Sequence, residues 1–353
     1  MTRLDELGGW PFLLTELLER RDLPASHART AMATILAGEA TAAQLIGFLV
    51  ALRAKGESPE EIAGLLDAVI EAGTPVVLPD DVRQKAVDIV GTGGDRSHSI
   101  NVSTMAAIVT AGAGVPVCKH GSRAASSQCG TADVLEALGV AVELPPEGVV
   151  RCVEEAGMGF CLAPRYHPAF RFAAPSRREI GIPTVFNILG PMANPARVRR
   201  HLIGVANPGM AERMLASLRL HGSHRAWVVH GNGLDELSTT GPSTVLALDD
   251  DTVRSFTVDP VELGLAPAIL DELVGGTPEV NAECVRRVMD GQHGAHRNIV
   301  VLNAAAALVV AGVVESLLEG LAVAADTIDS GRAAATLHRL VAVSQAAAEE
   351  FGH

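Results

Sequence analysis

The sequence is poor in aromatic residues and in positive charge. Only 3% of its 353 residues are Phe, Trp or Tyr, and 28 Lys and Arg face 41 Asp and Glu, which gives a formal net charge of -13. Nucleic acids and anionic membranes bind to broad basic surfaces, so this balance argues against either partner. The 48% apolar content predicts a folded globular protein with an aliphatic core. An anionic ligand would therefore need positive charge concentrated at one place.

Cysteines and long apolar runs are also scarce. The five cysteines form no CxxC pair and are odd in number, which disfavours a disulfide framework and a zinc site and favours a reducing cytoplasm. One long uncharged stretch of strongly apolar character, residues 298–314, contains two asparagines and is shorter than the roughly 20 apolar residues of a membrane span. It predicts a buried core helix. The N-terminus lacks a signal-peptide pattern, so we expect a soluble cytoplasmic protein.

Helical patterns fill the first part of the chain. In SPEEIAGLLDAVIEAG, Ser58 and Glu61 form a capping box, apolar residues follow at spacings of three and four, and Gly73 is a natural stop. These signals predict a helix between Ser58 and Gly73. We expect a helical domain over residues 1–80, which a segment near residues 175–200 completes.

From residue 81 onward, short β-branched runs alternate with helical patterns. The runs VDIV, VPVC, GFCL and AWVVH, at residues 87–90, 115–118, 159–162 and 226–230, are typical of buried parallel strands. We therefore predict a larger α/β domain over residues 81–353 with a mostly parallel central sheet.

A glycine-rich polar stretch, VGTGGDRSHSINVST, follows the first predicted strand. Gly91, Gly93 and Gly94 leave backbone N–H groups uncovered, and such groups bind phosphate oxygens. Asp95 could hold a ribose hydroxyl or a metal-bound water. Four short polar residues lead into the next helix and would face the same anion as its N-terminus: Ser99, Asn101, Ser103 and Thr104. For the glycines alone, an ordinary tight turn before a capped helix is the better interpretation.

A second polar cluster, CKHGSRAASSQCGTADVLEALG, includes the end of the next predicted strand. It brings Lys119, His120 and Arg123 close to three hydroxyl residues, Ser126, Ser127 and Thr131. Cations beside small hydroxyl residues suit a phosphorylated ligand, although a solvated surface loop is the alternative. Two such loops at the carboxyl ends of predicted strands favour a binding site, because ligands of α/β sheets bind there.

Two later segments supply further candidates. RYHPAFRFAAPSRREIGIPTVFNILGPMANP contains Arg177, whose guanidinium could pair with a substrate carboxylate, although a solvated helix face is equally compatible with the spacing. HGNGLDELST places Asp235 and Glu236 after the strand AWVVH. Mg²⁺ takes one or two carboxylates together with substrate phosphates, but an adjacent acidic pair alone is weak support.

Taken in order, GTGGD, NVST, KHGSRAASS with GTADVLEALG, PSRREIGIPTVFNILGP and GLDELS resemble the anthranilate phosphoribosyltransferase family along nearly the whole chain. The resemblance implies a homodimer formed through the helical domain, with the active site in the cleft between the helical domain and the α/β domain. It implies transfer of the phosphoribosyl group of phosphoribosyl pyrophosphate to the amine of anthranilate, in tryptophan biosynthesis, with two Mg²⁺ ions.

The resemblance also implies roles for individual residues. It makes Lys119 and Asp95 catalytic. The residues expected around phosphoribosyl pyrophosphate are Gly91, Gly94, Asp95, Ser99, Asn101, Val102, Ser103, Thr104, Lys119, His120, Gly121, Ser122, Arg123, Ser126, Ser127 and Thr131. Those expected around anthranilate are Gly91, His120, Ser122, His167, Arg177 and Pro191. Those expected at the metal are Ser103, Asp235 and Glu236.

One position departs from the family pattern. Ser122 stands where the family usually has the asparagine of Lys-His-Gly-Asn-Arg, a residue that contacts anthranilate. The shorter serine leaves open another aromatic acceptor. A pyrimidine nucleoside phosphorylase is disfavoured by the glycine loop, and a nucleic-acid-binding relative without activity is disfavoured by the net charge of -13 and by the retained Lys119, Asp235 and Glu236.

Overall fold

A computed structural model describes residues 3–124 and 128–351, so the predicted donor-binding residues Ser126 and Ser127 lie outside the described residues. The α-helices within these ranges are α1 (Gly9–Leu18), α2 (Ala25–Leu36), α3 (Ala42–Lys55), α4 (Pro59–Ala72), α5 (Asp80–Arg83), α6 (Val102–Gly112), α7 (Thr131–Ala137), α8 (Pro146–Ala156), α9 (Ala163–Tyr166), α10 (Ala174–Ile180), α11 (Val185–Met192), α12 (Ala211–Leu220), α13 (Pro278–Met289), α14 (Ala295–Ala311), α15 (Leu317–Asp329) and α16 (Arg332–Phe351). The strands are β1 (Val87–Gly91), β2 (Val117–Gly121), β3 (Met158–Leu162), β4 (Arg200–Gly204), β5 (Arg225–Gly231), β6 (Ser243–Asp249) and β7 (Thr252–Val258).

The helix predicted between Ser58 and Gly73 is confirmed as α4. The Ser58 hydroxyl accepts a hydrogen bond from the Glu61 backbone N–H at 3.2 Å, and the Glu61 carboxylate accepts one from the Ser58 N–H at 2.8 Å. Glu61 is fully buried and also pairs with the Lys55 ammonium at 2.8 Å. The cap therefore fixes both the start of α4 and its attachment to α3.

Helices α1 to α4 share one apolar core, in which α2 packs on α4 and α1 on α3. Two later helices join them, because α10 contacts α3 and α11 contacts α4. The same core continues onto one face of the sheet through Ile203, Ala226 and Val228. The helical part thus rests directly on the sheet. The domain boundary at residue 80 and the completing segment near residues 175–200 stay predictions.

The sheet has seven strands in the order β3-β2-β1-β4-β5-β6-β7. The pairs from β3 to β5 are parallel, and the pairs β5-β6 and β6-β7 are antiparallel. The predicted mostly parallel sheet is confirmed, and VDIV, GFCL and AWVVH fall within β1, β3 and β5.

The prediction for β2 was wrong in its bounds. The strand begins at Val117 rather than Val115 and runs to Gly121, so that Lys119 and His120 lie inside the strand instead of after it. Pro116 has no N–H to donate to a ladder, which explains the later start. The consequence is that two predicted site residues are held by the sheet itself.

Strands β4, β6 and β7 were not predicted. The strand β4 begins with Arg200 and His201, so it lacks a continuous apolar pattern at its start. The strands β6 and β7 form a hairpin, and most side chains of β7 are exposed. Asp250, which lies between them, has a positive φ of 50°, as tight hairpin turns require.

The uncharged stretch at residues 298–314 is confirmed as a buried core helix. Most residues of α14 are buried, and it packs on α6 and α15. In the described ranges no helix is both long and apolar enough to cross a membrane.

Candidate active site

The glycine loop leaves the end of β1 with exposed backbone. Gly91 is the last residue of β1, and Gly93 and Gly94 have positive φ values of 67° and 82°. A Cβ atom placed on either Gly93 or Gly94 would have no atom within 4 Å. The Gly93 N–H donates to Asp235 Oδ2 at 2.7 Å. The loop therefore presents open backbone beside a carboxylate.

Asp235 rests on the ends of two neighbouring strands. Gly91 of β1 pairs with Gly204 of β4. A Cβ atom on Gly91 would stand 2.3 Å from Asp235 Oδ2, and one on Gly204 would stand 1.6 Å from the carbonyl oxygen of Asp235. Position 204 therefore requires glycine, because the backbone of the loop after β5 approaches the sheet there, whereas a Cβ atom on Gly91 would displace the Asp235 carboxylate.

Three carboxylates, Asp95, Asp235 and Glu236, crowd together at this point. The Asp235 N–H faces Asp95 Oδ2 at 3.5 Å. Burial, with the Asp95 charge, raises the pKa of Asp235 to about 7. Burial and Asp235 raise the pKa of Glu236 well above its usual range. Burial is the main cause of both shifts, and the neighbouring carboxylates add to it.

Lys119 is the buried cation of this cluster, with a side chain only 1% exposed. Its ammonium donates to the carbonyl oxygen of Ile89 and to Ser103 Oγ, the latter at 3.2 Å. Burial lowers the pKa of Lys119, and the nearby carboxylates Asp88 and Glu236 oppose that shift. The ammonium is therefore fixed in position between β1 and the start of α6.

The polar run after the glycine loop is held by its own hydrogen bonds. Asp95 accepts from the N–H and the hydroxyl of Ser97, and that hydroxyl lies 3.1 Å from Ser99 Oγ. Asn101 is the residue before α6. The side chains of Val102 and Thr104 are buried beneath this surface. Their predicted contacts with a ligand stay predictions.

The loop after β2 is tied down by charge pairs. Arg123 bonds to Glu136 and lies 3.2 Å from Glu143 and 3.5 Å from Asp133. Its positive charge is therefore already compensated. Ser122 is exposed, and a Cβ atom on Gly121 would lie 3.3 Å from Thr131. Gly121 and Thr131 thus face each other at the end of β2.

On the other side of β2, four rings and a guanidinium form a continuous series. The ring centres of His120 and His167 are 5.2 Å apart, and His167 stacks on Phe170 at 5.3 Å. Phe170 meets Phe186 edge-on at 5.3 Å, and the Arg177 guanidinium lies 4.7 Å over the Phe186 ring. We refer to these five residues as the ring series. It joins three of the residues predicted around anthranilate.

Both histidines of the ring series are neutral. His120 Nδ1 lies 3.2 Å from the carbonyl oxygen of Gly190, next to the buried Pro191, and His167 Nε2 lies 2.7 Å from that of Ala193. A carbonyl only accepts, so these nitrogens carry the protons. Burial, reinforced by His167, lowers the pKa of His120 to about 3, and burial also lowers that of His167. The two imidazoles therefore carry no charge at neutral pH, which leaves Arg177 as the cation of the ring series.

Asp88 and Asn194 lie beneath the site and were missed by sequence reasoning. Fully buried, Asp88 accepts from the His120 N–H at 3.1 Å and from Asn194 Nδ2 at 2.8 Å. Asn194 Nδ2 also donates to the carbonyl oxygen of Cys118 at 2.8 Å. Burial raises the pKa of Asp88 to about 6, opposed by Lys119. The aspartate inside the apolar run VDIV was the available signal.

Comparison with known proteins connects both parts of the chain to one family. A model described as the helical bundle domain of a glycosyl transferase family matches residues 12–73, and the a/b domain of that family matches residues 83–334. An anthranilate phosphoribosyltransferase of Salinispora arenicola is 48% identical over 348 residues, which cover 97% of this chain and 99% of that protein. The chain belongs to the anthranilate phosphoribosyltransferase family.

Other members of the anthranilate phosphoribosyltransferase family agree with this assignment. The protein of that name from Methylorubrum extorquens strain PA1 is 52% identical, over 92% of this chain and 95% of its own. The crystal structure of the Thermus thermophilus protein is 42% identical in sequence, with a TM-score of 0.89. The match covers 94% of this chain and 99% of that one. The structure of the Saccharomyces cerevisiae enzyme in complex with PRPP and Mg is 27% identical, with a TM-score of 0.86. That match covers 96% of this chain and 98% of the yeast chain. The predicted family and fold class are confirmed.

The carboxylates of this anthranilate phosphoribosyltransferase family member suit a hard cation. Asp235 and Glu236 offer oxygen ligands, and a bound cation would favour their ionised forms against the burial that raises their pKa values. Among residues 3–124 and 128–351, however, no three His, Cys, Asp or Glu side chains form a ready metal site. The residues therefore fit a Mg²⁺ ion that receives its remaining ligands from a phosphorylated substrate.

Proposed function

We propose that this protein transfers the 5-phosphoribosyl group of phosphoribosyl pyrophosphate to the amine of anthranilate, giving N-(5-phosphoribosyl)anthranilate and pyrophosphate, a step of tryptophan biosynthesis. One observation carries the proposal. Lys119 and His120 are consecutive in β2, and successive side chains of a strand point to opposite faces. Lys119 reaches Ser103 among the carboxylates, whereas His120 reaches the ring series. A single strand end thus separates a charged half-site from an aromatic one.

The charged half-site suits the phosphorylated donor. The open N–H groups near Gly93 and Gly94, and the fixed Lys119 ammonium, favour phosphate oxygens. Asp235 and Glu236, with Ser103, would hold the two expected Mg²⁺ ions, which when bound supply positive charge to the pyrophosphate. We propose Lys119 and Asp95 as the catalytic residues: Lys119 stabilises the departing charge, and Asp95 holds a ribose hydroxyl or a metal-bound water.

The aromatic half-site suits the acceptor. A planar aromatic acid would lie along the ring series, with its carboxylate paired to the guanidinium of Arg177. Because His120 and His167 are neutral, they add no charge that would compete with Arg177 for that carboxylate. The orientation of the acceptor is then set by Arg177 at one end and by β2 at the other.

The reaction balances without a covalent intermediate. The lone pair of the amine nitrogen forms a bond to C1 of the ribose, the bond from C1 to the pyrophosphate oxygen breaks, and its electron pair leaves with pyrophosphate. The amine proton passes to solvent. Holding the two reactants in line supplies much of the acceleration, and Lys119 with the loop N–H groups stabilises the charge that develops on the leaving group.

The remaining expectations are also proposals. A homodimer formed through the helical domain is supported by exposed apolar side chains on that part of the chain: Phe12, Leu18 and Val50. A reducing cytoplasmic location is supported by the five cysteines, all within the described residues, since no disulfide bond joins any two of them.

The acceptor is the part of the proposal that most needs a test, since Ser122 is exposed at the end of β2 and replaces the usual asparagine of the family. Pyrophosphate release should be measured with phosphoribosyl pyrophosphate, Mg²⁺ and a panel of aromatic amines and acids that includes anthranilate. We expect anthranilate to give the highest kcat/KM. Release only with another aromatic acceptor would keep the phosphoribosyl chemistry and replace the acceptor.

A further inference from the structure

A buried asparagine on α13 contacts the polar run from behind. Asn281 is 2% exposed and lies in the first turn of α13. Its Nδ2 donates to Asn101 Oδ1 at 2.8 Å, and its Oδ1 accepts from the Gly276 N–H at 2.7 Å. Neither the predicted donor-binding residues nor those predicted around anthranilate include it. The contact reaches Asn101, the residue that precedes α6.

These bonds fix the orientation of two side-chain amides. A backbone N–H can only donate, so the Gly276 N–H requires the oxygen of the Asn281 amide and leaves its NH₂ group facing Asn101. Asn101 must then present its oxygen to Asn281, and its own NH₂ group faces the other way. One N–H of that group donates to the carbonyl oxygen of Cys129 at 3.3 Å. Among the described residues, the Asn101 NH₂ group makes no other hydrogen bond, so its second N–H is available to a ligand.

The chain before α13 also lies along the polar run. The Ile100 N–H donates to the carbonyl oxygen of Leu273 at 2.9 Å, and the Gly275 N–H donates to that of His98 at 2.8 Å. A Cβ atom on Gly275 would stand 2.6 Å from Asn281 Oδ1, so the segment approaches the amide as closely as glycine allows. Residues 273–276 and Asn281 thus hold residues 98–101 together.

We propose that Asn281 is a positioning residue that orients the Asn101 amide so that its free N–H binds an oxygen of the phosphoribosyl donor. The inference rests on the proposed function, and it extends the donor site to a helix that lies outside the predicted set. Asn281 itself does not touch substrate; it acts through Asn101.

The variant Asn281→Asp tests this role because it changes one group. The new carboxylate can still accept from the Gly276 N–H, but it cannot donate to Asn101 Oδ1. The Asn101 amide is therefore expected to turn its NH₂ group toward that carboxylate and its oxygen toward the ligand. The KM for phosphoribosyl pyrophosphate should rise about tenfold or more, the effect of losing a hydrogen bond to a charged oxygen. The KM for anthranilate should stay nearly unchanged. If the aspartate variant does not fold, Asn281→Ala removes the same donor without adding charge.

A matched control is Thr277→Ala, which removes the hydroxyl cap at the start of α13 and leaves the amides in place. If it raises the KM for the donor as much as Asn281→Asp does, a general loosening of α13 explains the effect and the inference is overturned. The second control is Asn101→Ala, in whose background Asn281→Asp should have no additional effect on the KM. Independent, additive effects would also overturn it.

Failure of the wider proposal would look different. If the wild-type protein releases no pyrophosphate, the proposed function fails before any variant is compared. If the wild-type protein is active and Asn281→Asp binds phosphoribosyl pyrophosphate as tightly as wild type in calorimetry, only the role of Asn281 fails.

Discussion

Replacing Gly204 by alanine should disable the site without altering any side chain in it. The new Cβ atom would stand 1.6 Å from the carbonyl oxygen of Asp235, and real Cβ atoms essentially never approach closer than 3.0 Å. The Asp235 backbone must therefore move by at least about 1.4 Å, and a misplacement of about 1 Å can cost on the order of 100-fold in rate. We expect kcat/KM to fall by about that factor and the required Mg²⁺ concentration to rise, because Asp235 carries one of the carboxylates proposed to bind the metal.

The assay is steady-state pyrophosphate release with varied Mg²⁺, with folding checked by thermal denaturation. Gly47→Ala is the matched control. A Cβ atom at Gly47, inside α3, would meet its nearest atom at 3.6 Å, an ordinary contact. That variant should keep full activity and gain up to about 1 kcal/mol from better helix propensity. If Gly204→Ala keeps wild-type kcat/KM and Mg²⁺ dependence, the approach of Asp235 to the sheet does not matter for catalysis and the reasoning is refuted.

The other predictions concern the charges of the two half-sites. Because the pKa of Asp235 is raised to about 7, its stabilising contribution in the metal-free protein is full below its unfolded pKa, near 4, and is lost as pH rises through 7. Mg²⁺ needs the ionised carboxylate, so its affinity should fall by up to about tenfold per pH unit below 7; calorimetric titrations at pH 6 and pH 8 with donor present check this. Arg177→Lys should raise the KM for anthranilate about tenfold and leave the KM for the donor unchanged, since an ammonium cannot form the two parallel hydrogen bonds that a guanidinium makes to a carboxylate. Equal rises in both KM values would contradict that role. Ser122→Asn should lower the KM for anthranilate, and an unchanged value would show that position 122 does not reach the acceptor.

The sequence predicted the elements whose signals are local. The capping box of Ser58 and Glu61 and the stop at Gly73 lie within one helix, so α4 could be predicted at both ends. The runs VDIV and AWVVH are apolar almost throughout because β1 and β5 are buried inside the sheet. In contrast, β7 is an exposed edge strand, and its polar residues carry no such pattern.

Contacts between distant segments could not be predicted in this way. Nothing near Asn194 in sequence indicates that its amide joins Asp88 to the carbonyl oxygen of Cys118, because these residues meet only through the sheet. The compensation of Arg123 by Glu136 and Glu143 likewise depends on how α7 is placed after the loop. The motifs therefore predicted which residues lie near one another. The hydrogen-bond and ion-pair partners that set their charge and orientation are visible only in the folded structure.

Although the chain is acidic, each of the two half-sites contains one cation. Lys119 is buried among the carboxylates of the charged half-site, and Arg177 is held over a ring in the aromatic one. The two cations thus belong to different half-sites on opposite sides of β2. This division predicts that Lys119→Ala should mainly lower kcat, because the departing pyrophosphate loses a stabilising charge, and should affect the KM for anthranilate little in the same steady-state assay.

The most direct test of the central claim is to follow anthranilate fluorescence and pyrophosphate release together in one reaction containing phosphoribosyl pyrophosphate and Mg²⁺. We predict that each anthranilate consumed releases one pyrophosphate and that both signals stop when either substrate or Mg²⁺ is left out. Pyrophosphate release that does not depend on anthranilate, or no release with any aromatic acceptor, would contradict the account.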